Sequence, residues 1–277
     1  MQNYAQETLD VIDERFYLES KTNAIVNNGI EFEFTGVNTV TIYNVDVVPE
    51  NDYQRTGVMR YGELVELGDG VQSFVLSQDK SFSISIDRGN REDSKMVLAM
   101  EDAVTRQVRE VSVPTVDIYR LGILTAYAVA NSQVATNALA YNDTFQKILI
   151  QRAALIEAKV NTDDIVLYVT PTTEMYLWRD PEFKAACDRS VASKETGVMG
   201  RVMGMTVVVC PSSYFVANFG FLLVSSKVLV APTKFNEIKT GDGFPFGISG
   251  MVGFGRRYYD AYIPTNKGPA IRLHKIA

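Results

Sequence analysis

The feature that most constrains the fold is a long charged stretch that contains one strictly alternating strand. Residues 81–87 read Ser-Phe-Ser-Ile-Ser-Ile-Asp, which places Phe82, Ile84 and Ile86 on one face of a strand. The charged residues around this strand are Arg55, Arg60, Glu63, Glu66, Asp79, Lys80 and Arg88. Residues 55–90 therefore predict a long hairpin that has little core of its own and needs a partner surface to be ordered.

An amphipathic helix is predicted directly after this stretch. Apolar residues in 93–112 recur at spacings of three and four, namely Val97, Met100, Val104, Val108 and Val111. Pro114 is expected to end this helix, because proline has no backbone N–H to donate. Residues 117–133 then predict a second, more apolar helix.

The rest of the chain alternates strands with helices. Period-two patterning predicts strands within residues 31–48, Asn142 and Asp143 can cap a third helix, and the apolar run 165–169 predicts a buried strand. Further strands are predicted at 202–209, 221–224, 228–230, 258–263 and 270–275, with turn glycines clustered between 241 and 255. This order predicts an α+β fold, and the length of 277 residues fits about two domains.

Acidic charge is concentrated near the N-terminus. Residues 1–50 hold nine acids and two bases, whereas residues 251–277 hold five bases and one acid. These two segments either attract each other across a contact, within one chain or between copies, or are two separately solvated surfaces. No basic stripe indicates tight nucleic-acid binding, no apolar run has the length of a membrane helix, and the N-terminus lacks the pattern of a signal peptide.

Patterns for catalysis and metal binding are weak. Ser249, Asp260 and His274 follow the order of an α/β-hydrolase triad, but the residues around the serine break the G-x-S-x-G elbow. The competing interpretation is a turn serine, a strand acid and a terminal surface histidine. Cys187 and Cys210 lack metal-ligand spacing and are predicted to pack as small apolar groups. We therefore predict no enzyme activity, no cofactor and no catalytic or metal-binding residue, with a serine hydrolase as the alternative from another class.

Three segments carry a resemblance to a known family. The first runs from the alternating strand through the helices, residues 82–121, and includes Pro-x-x-Asp-x-Tyr at 114–119. The others are residues 198–207 and residues 255–275. Taken in this order, they resemble the major capsid proteins of tailed bacteriophages, whose fold is shared with encapsulin shell proteins, and the resemblance covers nearly the whole chain.

The resemblance implies the tailed-phage capsid fold, in which six segments can be assigned. They are an N-terminal arm at residues 1–30, the first peripheral-domain strands at 31–54, an extended β-hairpin loop at 55–90, a peripheral domain with a long spine helix at 91–134, an axial α/β domain at 135–240 and return strands of the peripheral domain at 241–277.

The resemblance also implies a function, that of a structural subunit. Such a subunit self-assembles into the hexamers and pentamers of an icosahedral phage head, in the host cytoplasm, around double-stranded DNA that it binds without sequence specificity. A separate scaffolding protein and a portal are expected partners. An encapsulin-type shell around cargo enzymes is the alternative, and a covalent link between Lys80 and Asn266 of neighbouring copies stays open. The predicted subunit-interface residues are Arg55, Arg60, Glu63, Glu66, Lys80, Phe82, Ile84, Ile86, Arg88, Arg256 and Arg257.

Overall fold

A computed structural model gives the fold of most of the chain. It describes residues 20–27, 29, 32–35, 38–45, 48–64, 66, 69–93, 100–161, 164–183, 201–243 and 247–277. The predictions for residues 1–19, Val97, Cys187 and residues 198–200 lie outside the described residues.

The described elements follow one another as alternating groups of strands and helices. The strands are β1 (Phe32–Thr35), β2 (Thr39–Val45), β3 (Asp69–Val75), β4 (Gln78–Asp87), β5 (Val134–Thr136), β6 (Ile165–Val169), β7 (Arg201–Val202), β8 (Met205–Val209), β9 (Phe219–Ser225), β10 (Thr233–Asp242), β11 (Gly250–Tyr259) and β12 (Ile271–Lys275). The α-helices are α1 (Arg88–Asp93), α2 (Met100–Gln107), α3 (Val113–Ala130), α4 (Thr144–Glu157) and α5 (Pro171–Arg179).

The largest sheet has six strands in the order β5-β12-β9-β6-β8-β7. Helix α3 packs on one face, where Leu121 and Leu124 join a buried cluster with Tyr168. Helices α4 and α5 supply Ile148 and Leu177 to a second buried cluster, which contains Leu167 of the same strand β6. Because β6 is covered on both faces, it reads as an unbroken apolar run, and the buried strand predicted at residues 165–169 is confirmed.

The predicted helix break at Pro114 is wrong. Helix α2 continues through a π-helical segment, Val108–Ser112, directly into α3, where the proline occupies one of the first two positions. Proline is tolerated in the first turn of an α-helix, so the chain remains helical through Pro114. The wider π-helical turn also rotates the side chains within it relative to those of α2. Met100 and Val104 are therefore buried, whereas Val111 is 49% exposed.

The remaining strands form two separate three-stranded sheets, β1-β2-β3 and β10-β11-β4. Strand β3 pairs antiparallel with β2, whereas β4 pairs antiparallel with β11. Strands β3 and β4 therefore do not pair with each other, and the prediction of a single hairpin over residues 55–90 is wrong. A long connection instead joins the paired strands β2 and β3, and β4 begins shortly after β3 ends. This connection is called the excursion below.

The C-terminal segment also divides between sheets. Strand β11 pairs with β4, but β12 pairs with β9 and β5 of the six-stranded sheet. Strand β10 starts at Thr233 and belongs with β11, although the sequence assigned it to the axial segment. The boundaries drawn at 240 and 241 thus do not follow the strand pairing, because interstrand hydrogen bonds join residues far apart in sequence.

Two glycines of β11 allow close packing on its sheet. A Cβ at Gly253 would lie 2.8 Å from Val104 Cγ2 and 2.9 Å from Met100 Sδ, and a Cβ at Gly255 would lie 2.2 Å from the Phe82 ring. These glycines lie inside a strand and not in the predicted turn, since the helix and the phenylalanine ring occupy the space where side chains would stand.

Candidate assembly surface

The excursion between β2 and β3 displays apolar side chains to solvent. Within residues 48–64, Val58 and Leu64 are each 95% exposed and Tyr61 is 84% exposed. The excursion has some structure of its own, because the rings of Tyr53 and Tyr61 meet edge to face at 5.0 Å and Gln54 N donates to Arg60 O at 3.0 Å. Large exposed apolar groups on an ordered segment are typical of a contact surface.

Four predicted interface residues lie on this excursion or at its end. Arg55, Arg60, Glu63 and Glu66 are all exposed, and the Arg60 Nε donates to Gly57 O at 3.2 Å. Sequence reasoning singled out these charges and passed over the apolar residues between them. The sequence does contain an indication of this surface. Val58, Tyr61 and Leu64 do not show the regular alternation with polar residues that places side chains in a core.

The three apolar residues of β4 face a helix of the same chain. Phe82, Ile84 and Ile86 are half-buried, and Ile84 pairs across the sheet with Gly253, which lies beneath Val104 of α2. Their apolar face is thus partly covered within the subunit. The predicted interface role of these three residues therefore concerns only the part of the face that α2 leaves open.

Two of the predicted interface arginines are paired within the chain. Arg256 donates to both carboxylate oxygens of Asp79, with distances of 3.0 and 2.6 Å, and this hydrogen bond lowers the pKa of the Asp79 carboxyl. Arg88 pairs with Glu92 at 3.1 Å. Both pairs are exposed to solvent, so they stabilise the fold little and their charge remains open to a neighbour.

A groove of about 180 Å³ lies between the helical element and the sheet β10-β11-β4. Lys80, Phe82, Arg256 and Arg257 line it, so the fold brings four predicted interface residues together. The lining residues that sequence reasoning missed include Val111, Ser112, Thr115, Val116, Glu237 and Tyr259. No sequence pattern indicates them, because the π-helical turn and the pairing of β4 with β11 bring them together.

The hydrogen bonds that a serine-hydrolase triad requires are not formed. The Asp260 carboxylate accepts hydrogen bonds from Ser77 N at 2.7 Å and Tyr119 Oη at 2.5 Å. His274 is 1% exposed and, among the described residues, neither ring nitrogen has a hydrogen-bond partner. The prediction of a terminal surface histidine is therefore wrong, and no acid in the part of the chain that the structure describes orients the imidazole toward Ser249.

Neither a metal-ligand cluster nor a helix able to cross a membrane occurs among the described residues. No group of three or more His, Cys, Asp or Glu side chains in these residues is arranged to hold a metal ion. None of the helices in the described part of the chain combines the length and the apolar character needed to cross a membrane. Cys210 lies in the core cluster beneath α3, and burial raises the pKa of its thiol to about 12.

The fold is that of tailed-phage capsid structures. The chain superimposes on a structure from Mycobacterium phage Che8 with a TM-score of 0.69 and 16% identity, covering 99% of this chain and 98% of the other. The capsid of cyanophage P-SCSP1u matches with a TM-score of 0.68 and 8% identity over 100% and 93% of the two chains. The mature capsid of bacteriophage PhiM1 matches with a TM-score of 0.67 and 10% identity over 99% and 92%.

The sequence itself matches no family model and no curated protein. Structural likeness at these identities establishes the fold, which is the mixed α+β tailed-phage capsid fold that the sequence predicts. Because one fold can serve several functions, this likeness by itself does not establish what the chain does.

Proposed function

We propose that this chain is the major structural subunit of a tailed-phage head. In this proposal it assembles as hexamers and pentamers into an icosahedral shell around double-stranded DNA. The observation that carries the proposal is the agreement of its fold, from end to end, with two phage capsid structures.

The exposed excursion supports assembly on physical grounds. Val58, Tyr61 and Leu64 are almost fully exposed in the single chain, and burying apolar surface contributes about 25 cal/mol per Å². An ordered segment that exposes this much apolar surface gains free energy when it packs on another subunit. No comparable gain is available from the subunit's own core, from which these side chains project.

The predicted interface residues would have different roles in such a contact. Apolar side chains of the excursion would supply the attraction, while Arg55, Arg60, Glu63 and Glu66 would set the register between subunits. Arg88 and Arg256 would add charge at the edge, and Lys80, Phe82 and Arg257 would form the receiving side with the open part of the β4 face, Ile84 and Ile86. A separate scaffolding protein and a portal would complete assembly, with the finished shell in the virion.

Assembly can be tested by negative-stain electron microscopy with size-exclusion chromatography. The wild-type protein is expected to form closed shells or capsomer rings. Replacing both Tyr61→Ser and Leu64→Ser removes two contact side chains and is expected to raise the protein concentration needed for assembly by about ten-fold or more. Circular dichroism of the variant is expected to match wild type, because both side chains lie outside the core.

The matched control is Val129→Ser, which removes an exposed apolar side chain at the end of α3, away from the excursion. It is expected to leave assembly unchanged. A protein that stays monomeric or dimeric, even with crowding agents or a co-expressed scaffold, would refute the capsid proposal. Shells that hold a cargo enzyme in place of DNA would favour the encapsulin alternative instead.

A further inference from the structure

The groove between the sheet β10-β11-β4 and the helical element, which runs from α2 through the π-helical turn into α3, contains two buried polar atoms that lack partners. Neither Nη2 of Arg257 nor Oη of Tyr259 has a hydrogen-bond partner among the residues that the structure describes. Tyr259 is 5% exposed, and burial raises the pKa of its phenol, so the hydroxyl stays protonated at neutral pH and can donate. Buried donors without an acceptor are destabilising, so the groove favours a ligand that accepts hydrogen bonds.

Two cations stand side by side on the face of the sheet that lines this groove. Arg257 of β11 pairs with Lys80 of β4 on one side and with Asn236 of β10 on the other, so the three side chains form one row. Gly253 lies on the same face, beneath Val104 of α2, and the row therefore faces the helical element. Like charges directly opposite each other on a sheet repel. An anion that binds both cations removes this repulsion.

The acids nearest this row lie on the other face of the sheet and are already paired. Among the described residues, Glu237 is the one acid that borders the groove, and its carboxylate pairs with Lys239 at 2.8 Å. Asp79 accepts two hydrogen bonds from Arg256. Glu237 is in register with Arg256, the residue before Arg257, and successive residues of a strand point to opposite faces. The carboxylate of Glu237 therefore does not neutralise the row.

Asp260, the acid next to Tyr259 in sequence, is engaged elsewhere. Its carboxylate accepts hydrogen bonds from Ser77 N at 2.7 Å, Tyr119 Oη at 2.5 Å and Ala261 N at 2.7 Å. It does not bind the Tyr259 hydroxyl, which stays without a partner in the part of the chain that the structure describes. The acceptor that this hydroxyl lacks is therefore not supplied by its neighbour in the strand.

The arrangement of donors favours a tetrahedral oxyanion over a carboxylate. The sheet wall supplies Arg257, Lys80 and Tyr259, and the helical wall adds the amide of Gln107 and the hydroxyl of Ser112. A carboxylate accepts hydrogen bonds in one plane, whereas a phosphate group accepts them from several directions and carries a charge of about −1.5 to −2 at neutral pH, which matches the two cations. The groove volume of about 180 Å³ leaves room for such a group, since a water molecule occupies about 30 Å³.

We infer that this groove binds a phosphate group, held by Arg257, Lys80 and Tyr259. Free inorganic phosphate and a small phosphate monoester share this chemistry. The bound anion joins the sheet to the helical element, because its oxygens accept from both walls. The inference goes beyond the proposed function and does not depend on assembly, since every residue of the site belongs to one chain.

Isothermal titration calorimetry of the full-length protein with inorganic phosphate, at constant ionic strength and pH 7.5, tests this inference. Saturable binding with a Kd below about 1 mM is expected. Arg257→Gln is expected to weaken binding by about ten-fold or more, because it removes a charged donor. Lys267→Gln removes a positive charge at an exposed site outside the groove and is the matched control, with an unchanged Kd. Tyr61→Ser/Leu64→Ser protein is titrated in parallel, so that no assembled neighbour covers the groove.

Tyr259→Phe separates a role in binding from a role in folding. It removes only a buried hydroxyl that has no partner among the described residues, so urea unfolding without phosphate is expected to show a stability no lower than that of wild type. Phosphate binding is expected to weaken by about three-fold or more. A variant that is less stable without phosphate but binds it as wild type does would overturn the assignment of this hydroxyl to the site.

Titrations with methyl phosphate, acetate and chloride identify the ligand. Tighter binding of methyl phosphate than of inorganic phosphate assigns the site to a phosphate monoester, and the reverse order assigns it to free phosphate. Acetate or chloride that binds as tightly as phosphate overturns the inference, because the groove then does not select a tetrahedral oxyanion. Absence of saturable binding to both the wild-type and the Tyr61→Ser/Leu64→Ser protein, or an unchanged Kd in Arg257→Gln, also overturns it. Each of these failures leaves the capsid proposal intact, since assembly is measured separately by microscopy.

Discussion

His274 carries its imidazole inside the six-stranded sheet. It is 1% exposed on β12, and its ring stacks on Phe221 with centroids 4.7 Å apart and planes at 15°. The charged groups that face it come from α4 and its N-cap, where Lys147 and Asp143 form an ion pair at 2.5 Å. Burial lowers the pKa of His274 from its usual 6.5, the Lys147 charge lowers it further, and Asp143 acts in the opposite direction.

This buried histidine predicts a loss of stability in acid. Its folded-state pKa lies below the unfolded value of 6.5, so as the pH falls below 6.5 the unfolded chain takes up the proton first. Stability is full above pH 6.5 and falls toward the lower folded-state pKa, by at most about 1.4 kcal/mol per pH unit. Urea unfolding of wild type and His274→Phe, followed from pH 7.5 to pH 5, measures the difference.

The His274→Phe variant is the non-titrating control for the wild-type protein. Phenylalanine keeps the stack on Phe221 and cannot titrate, so the free energy of unfolding of His274→Phe is expected to depend less on pH than that of wild type. Parallel curves for the two proteins over this range would mean that His274 does not contribute.

At the scale of elements, helix α3 holds residues 20–22 in place. The Asp117 carboxylate accepts hydrogen bonds from Ser20 Oγ, Lys21 N and Thr22 Oγ1 at 2.8, 2.8 and 2.6 Å. Tyr168 Oη, from the sheet beneath, donates to Lys21 O at 2.9 Å. The buried carboxylate fixes residues 20–22 to the helix, and the Tyr168 hydroxyl fixes Lys21 to the sheet.

Asp117→Ala is expected to destabilise the protein by about 2–4 kcal/mol, because it leaves three donors without their acceptor. Chemical unfolding measures the loss, and limited proteolysis is expected to cleave near Lys21 faster in the variant. Asp102→Ala, an exposed acid of α2, is the matched control and is expected to stay within about 0.5 kcal/mol of wild type. Equal effects of the two substitutions would contradict the anchoring role.

The elements that sequence reasoning predicted correctly are those whose pattern is local. The run 165–169 is β6, the alternation at residues 81–87 lies within β4, and Asp143 stands at the N-cap position of α4, although its side chain makes no capping hydrogen bond there. Each follows from periodicity or capping within about ten residues, which the sequence displays directly.

The wrong predictions from sequence concern contacts between residues that are far apart along the chain. The partner of β4 is β11, more than 160 residues away, and the partner of β3 is β2. The π-turn before Pro114 changes which helical residues face the sheet, and so Val111 joins the groove and not the core. The groove could not be predicted for the same reason, since Arg257, Val111 and Lys80 meet only through these pairings.

At the scale of the whole molecule, stability is unevenly distributed. The six-stranded sheet is covered on both faces by two large buried clusters. The sheet β1-β2-β3 has a small cluster of four buried residues, Val40, Ile42, Leu76 and Val230. Sheets with few buried contacts open more readily than well-covered ones. The part of the chain proposed to make assembly contacts is therefore the less stable part of the single subunit.

This distribution predicts a specific change in amide hydrogen exchange on assembly. In the unassembled subunit, strands β6 and β9 are expected to exchange slowly, and strands β2 and β3 with residues 48–64 to exchange fast. In shells, the excursion and its two strands are expected to become protected, because a neighbouring subunit covers them, while β6 and β9 change little. Mass spectrometry of peptic peptides from both states measures this, with Tyr61→Ser/Leu64→Ser protein as the unassembled reference. Protection that appears on β6 and β9 instead would mean that assembly acts by ordering the core, and that the excursion is not the contact that joins subunits.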